Sequence, residues 1–114
     1  MNLEIVTSVN GVSIRLTDER WWDHILEKRP YLNRYYNEVL EAVEKPLVVL
    51  RGYKGTLIGV LSVGRKQYLH VVYKELSSED GFIITATIES EYNKGLVIWR
   101  SDRSEERRVG KECA

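Results

Sequence analysis

The period of the hydrophobic pattern changes at Pro46, and that change limits the chain to folds that combine helix with sheet. Before it, Leu32, Tyr35, Tyr36, Val39, Leu40 and Val43 recur at i, i+3, i+4, i+7, i+8 and i+11, the spacing that gathers side chains along one side of a helix. The spacing predicts a helix over 31–44. After Pro46 the apolar residues alternate instead, in four strand patterns at Leu47 to Arg51, Thr56 to Val63, Gln67 to Lys74 and Gly81 to Ile88. Turn signals separate them at Lys54-Gly55, Gly64-Arg65 and Ser77 to Gly81. Connections this short join neighbouring antiparallel strands, so the four are expected to form an antiparallel meander. The helical stripe has no other large surface on which to bury, so helices should cover one face of that sheet, an α+β arrangement.

Upstream, "LEIVTSVNGVSIRL" reads as a β-hairpin around Asn10-Gly11. Thr17 follows as a helix N-cap, with Asp18 and Glu19 where the helix dipole favours carboxylates. A first helix starts there and carries Trp21, Trp22, Ile25 and Leu26. It should end near Arg29, because Pro30 disfavours helical geometry in the residue before it.

At 114 residues the chain suits one domain with one core. With 43% hydrophobic and 30% charged residues it is too apolar for a disordered polymer. No apolar run approaches the ~20 residues of a membrane span, and the N-terminus lacks the basic and apolar regions of a signal peptide. The cytoplasm is therefore the expected compartment. "RSEERRVGKEC", Arg103 to Cys113, resembles the conceptual translation of a sequencing adapter. We read residues 1–102 as the domain and 103–114 as an artefactual tail, the alternative being a charged, solvated terminal helix. The 17 basic and 17 acidic residues balance, and the tail holds four of the first and three of the second, so the domain itself is near neutral. Any basic surface must be local. Outside the tail there is no cysteine, which excludes a disulfide framework or a thiolate metal site.

Strand alternation places Leu69, Val71 and Tyr73 on one face and Tyr68, His70, Val72 and Lys74 on the other. In "GFIITATIES" the same rule puts Phe82, Ile84, Ala86 and Ile88 towards a core and Ile83, Thr85 and Thr87 away from it. If the more apolar sets lie under the helices, His70, Lys74, Thr85 and Thr87 gather on the open face. Threonine also simply suits a half-exposed strand, and Lys74 a solvated strand end. In "WWDHILEKRP", His24 offers an imidazole, the side chain most often used for proton transfer, and Arg29 a cation with a planar donor fork; both also suit the end of a helix. Two histidines without a spaced carboxylate motif, no glycine-rich phosphate loop and no nucleophile elbow leave metal, nucleotide and hydrolase-triad chemistry unsupported.

The order of motifs narrows the reading. "WWDHILEKRP", a helix ending "EAVEKP", then "YLHVVYK", "DGFIITA" and "KGLVIW" together resemble a bacterial and phage family of small proteins in the barnase, EndoU, colicin and RelE-like ribonuclease superfamily, or BECR. The similarity runs from about Trp21 to Trp99. It implies a helical layer on a curved antiparallel sheet whose open face cuts RNA without metal or cofactor, through 2′-OH attack that leaves a 2′,3′-cyclic phosphate. By position it implies His24 as acid/base, Lys74 as a phosphate donor and Thr85 as a hydrogen bond to phosphate or ribose. Many relatives have a histidine before the proline where this chain has Arg29. Arg29 would then act electrostatically, with His70 as the alternative second acid/base. The implied partners are an RNA substrate and an antitoxin or other protein. A catalytically inactive domain of the same fold, binding RNA or a protein partner, is the alternative.

Deleting residues 103–114 should leave the melting temperature unchanged. A loss above about 5 °C, roughly 1 kcal/mol for a domain of this size, would show that the tail packs.

Overall fold

The computed structural model describes residues 3–101; the adapter-like tail, 103–114, lies outside them. The chain builds two helices and one seven-stranded mixed sheet, an α+β fold. Strands β1 (Leu3–Thr7) and β2 (Ser13–Thr17) pair antiparallel. In the turn between them the Gly11 N–H donates to the Ser8 carbonyl at 2.9 Å, and Gly11 takes a φ of 81°, which glycine adopts without strain.

Thr17 Oγ1 accepts the Arg20 N–H at 3.1 Å and so caps the first helix. This helix, α1, is π-wound over Arg20–Ile25 and α-helical over Leu26–Lys28. Arg29 ends it at φ −138° and ψ 76°, as a residue before proline should. The continuous helix expected over 31–44 is split. Pro30–Tyr35 winds as a 3₁₀ helix, and the α-helix proper, α2, covers Tyr36–Glu44. Trp21 packs edge-on against Tyr36, with ring centroids 5.0 Å apart. Burial, then the charges of Glu4 and Asp18, raise the Tyr36 phenol above its ordinary range, and its hydroxyl bonds to Glu4.

Strands β3 (Val48–Arg51), β4 (Leu57–Gly64), β5 (Gln67–Glu75) and β6 (Gly81–Glu89) pair in chain order, each antiparallel to the next. They are the middle of a larger, mixed sheet and not a sheet of four. The hairpin joins them through a short parallel pairing, Ile14 beside Gly81 and Arg15 beside Phe82. A seventh strand, β7 (Val97–Arg100), adds antiparallel to β3; its four residues are too few to display an alternating period. The resulting order is β1-β2-β6-β5-β4-β3-β7. Among the described residues no helix is long and apolar enough to cross a membrane.

One face of the sheet carries both helices. There Ile25, Leu32, Val39, Ala42 and Val43 bury against Leu16, Leu69, Val71, Ile83 and Ala86. The contact is close because a Cβ built on Gly59 of β4 would collide with the Ala42 carbonyl oxygen, so only a residue without a side chain lets α2 settle there. Phe82 and Ile84, expected in this core, are not in it. The register of β5 with β6 shifts between Val72 and Tyr73: Val72 faces Thr85, while Tyr73 faces Ile83. Ile84 is the extra residue of a β-bulge. It reverses the phase of the alternation, so Ile83 takes the inward position and Ala86 and Ile88 keep theirs.

The other face is partly covered as well. After β6 the chain crosses back over β5, β4 and β3 to reach β7, and Tyr92, Leu96 and Val97 pack on Val48, Leu50, Val60 and Tyr68. At the opposite end of β5, Glu75 accepts hydrogen bonds from Ser8 Oγ at 2.6 Å and Asn10 Nδ2 at 3.1 Å, which ties the hairpin turn to the sheet. Arg15 pairs with Asp80 nearby.

Gly59→Ala is expected to lower stability by about 1–3 kcal/mol, the usual cost of overpacking, measured by urea denaturation; an unchanged midpoint would mean that α2 does not rest on β4.

Tyr73 is 0% exposed, and its hydroxyl has no hydrogen-bond partner in the protein. Burial, and secondarily the charge of Glu75, raise its phenol well above the ordinary value of 10. The folded state thus keeps the proton that the unfolded state releases above about pH 10, so stability should fall as pH rises beyond that point. Tyr73→Phe removes an unsatisfied buried group worth about 1–3 kcal/mol. It should melt no earlier than the parent at pH 7 and lose less stability between pH 9 and 11. Earlier melting at pH 7 would mean that the hydroxyl is satisfied in solution.

Candidate functional site

Strands β5 and β6 position the sheet residues of the candidate site. Alternation along β5 puts His70, Val72 and Lys74 on the side away from the helices, opposite Leu69, Val71 and Tyr73 of the main core. Across the ladder, His70 lies beside Thr87, Val72 beside Thr85 and Lys74 beside Phe82. Lys74 and Thr85 therefore share one face of adjoining strands, on a diagonal next to the bulge. Both are half-buried. The threonines of β6 point away from the helical core, as the alternation implied, and the bulge does not alter this because it lies on their N-terminal side.

His70 shares that face but is not open to it. It is 9% exposed, beside Val60 and at the margin of the second apolar cluster. Its Nδ1 lies 3.0 Å from the Tyr68 carbonyl. A carbonyl can only accept, so Nδ1 carries the proton and, in the neutral ring, Nε2 is left as the acceptor. The expected place on the open face thus gives way to a buried one, at the end of the sheet where Tyr92 and Leu96 pack on Val60 and Tyr68.

Arg29 stands half-exposed at the turn before Pro30. Two residues on, the Tyr31 hydroxyl comes to 3.5 Å from Thr87 Oγ1, so this turn sits against β6 on the threonine side. The contact is long for a hydroxyl pair, and its value is in locating the turn. His24 is exposed on the π-wound part of α1, a segment that packs along β6. Among the described residues, no side-chain hydrogen bond or ion pair joins any two of His24, Arg29, Lys74 and Thr85. The fold thus sets Lys74 and Thr85 on the same face of adjoining strands, opposite Phe82 and Val72 respectively, and docks the Arg29 turn near Thr87, while His24 stays on the solvent side of its helix.

Some features here had no signature in the sequence. Tyr31 falls outside the helical stripe that begins at Leu32, and nothing in the pattern points its hydroxyl to Thr87. A cleft at the far end of β5 is lined by Lys66, Tyr68, Ser90, Glu91, Tyr92 and Lys94. Tyr68 and Tyr92 meet there edge-on at 5.5 Å. The ladder pairs Tyr68 with Glu89 and so sets the start of β5 beside the segment that leaves β6. Among the described residues no group of three or more His, Cys, Asp or Glu side chains is arranged to hold a metal ion.

No protein-family model matches this chain, and no curated protein and no solved structure shows significant similarity to it.

Proposed function

We propose that this chain is a metal-independent endoribonuclease of toxin type, built on a BECR-like fold. The observation that carries the reading is the shared sheet face: Lys74 and Thr85 on adjoining strands, with the Arg29 turn next to β6, where the Tyr31 hydroxyl comes to 3.5 Å from Thr87 Oγ1. A cation and a hydroxyl facing the same way, with a second cation at the strand edge, form a surface suited to a phosphodiester.

In this reading His24 takes the proton from a ribose 2′-OH. The oxygen attacks the adjacent phosphorus, the 5′-oxygen leaves, and a 2′,3′-cyclic phosphate remains. Lys74 and Arg29 stabilise the charge that builds on the non-bridging oxygens. Thr85 Oγ1 bonds the phosphate or the ribose. A guanidinium does not serve as a proton donor in catalysis, and His70 is buried, so in this reading the leaving oxygen takes its proton from water.

A second reading is a catalytically inactive domain of the same fold that binds RNA or a protein partner, such as an antitoxin. It is favoured by the burial of His70, which leaves His24 as the exposed histidine of the domain.

Purified protein is expected to cleave RNA in the presence of EDTA and to leave 2′,3′-cyclic phosphate ends. His24→Ala should slow cleavage by about 10²–10⁴-fold, the loss that follows removal of a proton-transfer group. Lys74→Ala should weaken both binding and rate, and Thr85→Val, nearly isosteric, should keep the fold and lower activity less. Absence of cleavage at every pH from about 5 to 9, a range that spans the ordinary histidine pKa, would sink the catalytic reading. So would a His24→Ala protein as active as the parent.

A further inference from the structure

We propose that Trp22 anchors a docking surface for a basic segment of a protein partner. Trp22 is 58% exposed, although Trp21, Ile25 and Leu26 of the same helix are buried. An indole left in water on a helix that buries its other large side chains is the kind of residue that dominates binding energy at protein interfaces. Two shallow clefts meet at it. One runs towards Glu19, and the other runs over Leu26 to Pro30, with Asp23 shared by both and Glu27 on the rim of the second.

The charge of these clefts selects the occupant. Glu19, Asp23 and Glu27 recur every fourth position and are all exposed, and no lysine, arginine or histidine lines either cleft. Like charges at this spacing repel along a helix, and a cation laid between them relieves that repulsion. Nucleic acid phosphates would add to it, so the row of Glu19, Asp23 and Glu27 disfavours RNA over these two clefts. An arginine suits it best: the planar guanidinium stacks on an indole and forks a carboxylate. The occupant we assign is therefore a helical segment that presents arginines to the acidic row and an aliphatic side chain to the floor between Leu26 and Pro30. This surface lies on α1 and does not depend on whether the open sheet face cuts RNA.

The test uses a labelled synthetic helical peptide with arginine at every fourth position and leucines between, titrated against the full chain by fluorescence anisotropy. Saturable binding is expected, weakened roughly thirtyfold by Trp22→Ala, the loss typical of an aromatic hot spot. Rising salt and the exposed pair Asp23→Asn with Glu27→Gln should each weaken it further, and a glutamate version of the peptide should not bind. Circular dichroism establishes that each variant is folded; should Trp22→Ala unfold, Trp22→Phe replaces it and should lose part of the affinity. The proposal fails if the parent does not bind the peptide, or if the Trp22 variants bind as the parent does while the charge variants do not, which would be plain charge attraction. Sedimentation showing a dimer that the Trp22 variants abolish would also overturn it, by making a second copy the occupant.

Discussion

The sheet accepts α2 most closely where β4 has no side chain. With Gly59 under the Ala42 carbonyl, the helix backbone lies directly on the strand, and Val39 and Val43 of the helix share one buried core with Leu69 and Val71 of β5. A methyl group at position 59 would lift the helix away and open gaps beneath those side chains, where each lost contact weakens the core. The rest of the helical layer is arranged around this contact: Trp21 leans on Tyr36, Leu32 enters from the 3₁₀ segment, and the hairpin contributes Ile14 and Leu16 from the far side.

Because both helices are on one side, the other side of the sheet is free to be used, and the chain divides it. Over β3, β4 and the start of β5 the returning segment through Tyr92 and Leu96 builds a second small core. Over the end of β5 and the middle of β6 no comparable cluster lies on top among the described residues, and Val72, Lys74, Thr85 and Thr87 are half-buried. His70 stands at the boundary and belongs to the covered part. The candidate site is therefore bounded by the crossover on one side and by the Pro30 turn on the other. Neither boundary is a regular element.

The strands of the middle sheet were legible because their spacing is local: alternation over Gln67 to Lys74 and short turns suffice to pair neighbours. The common face of Lys74 and Thr85 follows from the same two facts. The inward residues of β6 were legible only in part. Ile83 and Ile84 are adjacent and chemically alike, so nothing in the pattern marks where the bulge slips its phase; pairing with Val72 and Tyr73 decides it. The split of the second helix was likewise hidden, because Leu32 and Tyr35 satisfy a helical spacing in either winding. The relative placement of His24 and Arg29 was also hidden, because a regular α-helical spacing does not describe a π-wound segment that ends in an extended residue.

By itself the sequence determined the α+β class, the existence and order of six of the seven strands, the capped start of α1 and its end at Pro30, and which face of β5 is apolar. These depend on interactions within a few residues, where side-chain size, β-branching and proline geometry act directly on the backbone. Only the tertiary structure decided the parallel pairing of β2 with β6, the outward bulge at Ile84, the burial of His70, the exposure of Trp22 and the placement of the Arg29 turn beside Thr87. Each of these is set by residues tens of positions apart competing for the same surface, and that competition is resolved by packing, which the local pattern does not encode.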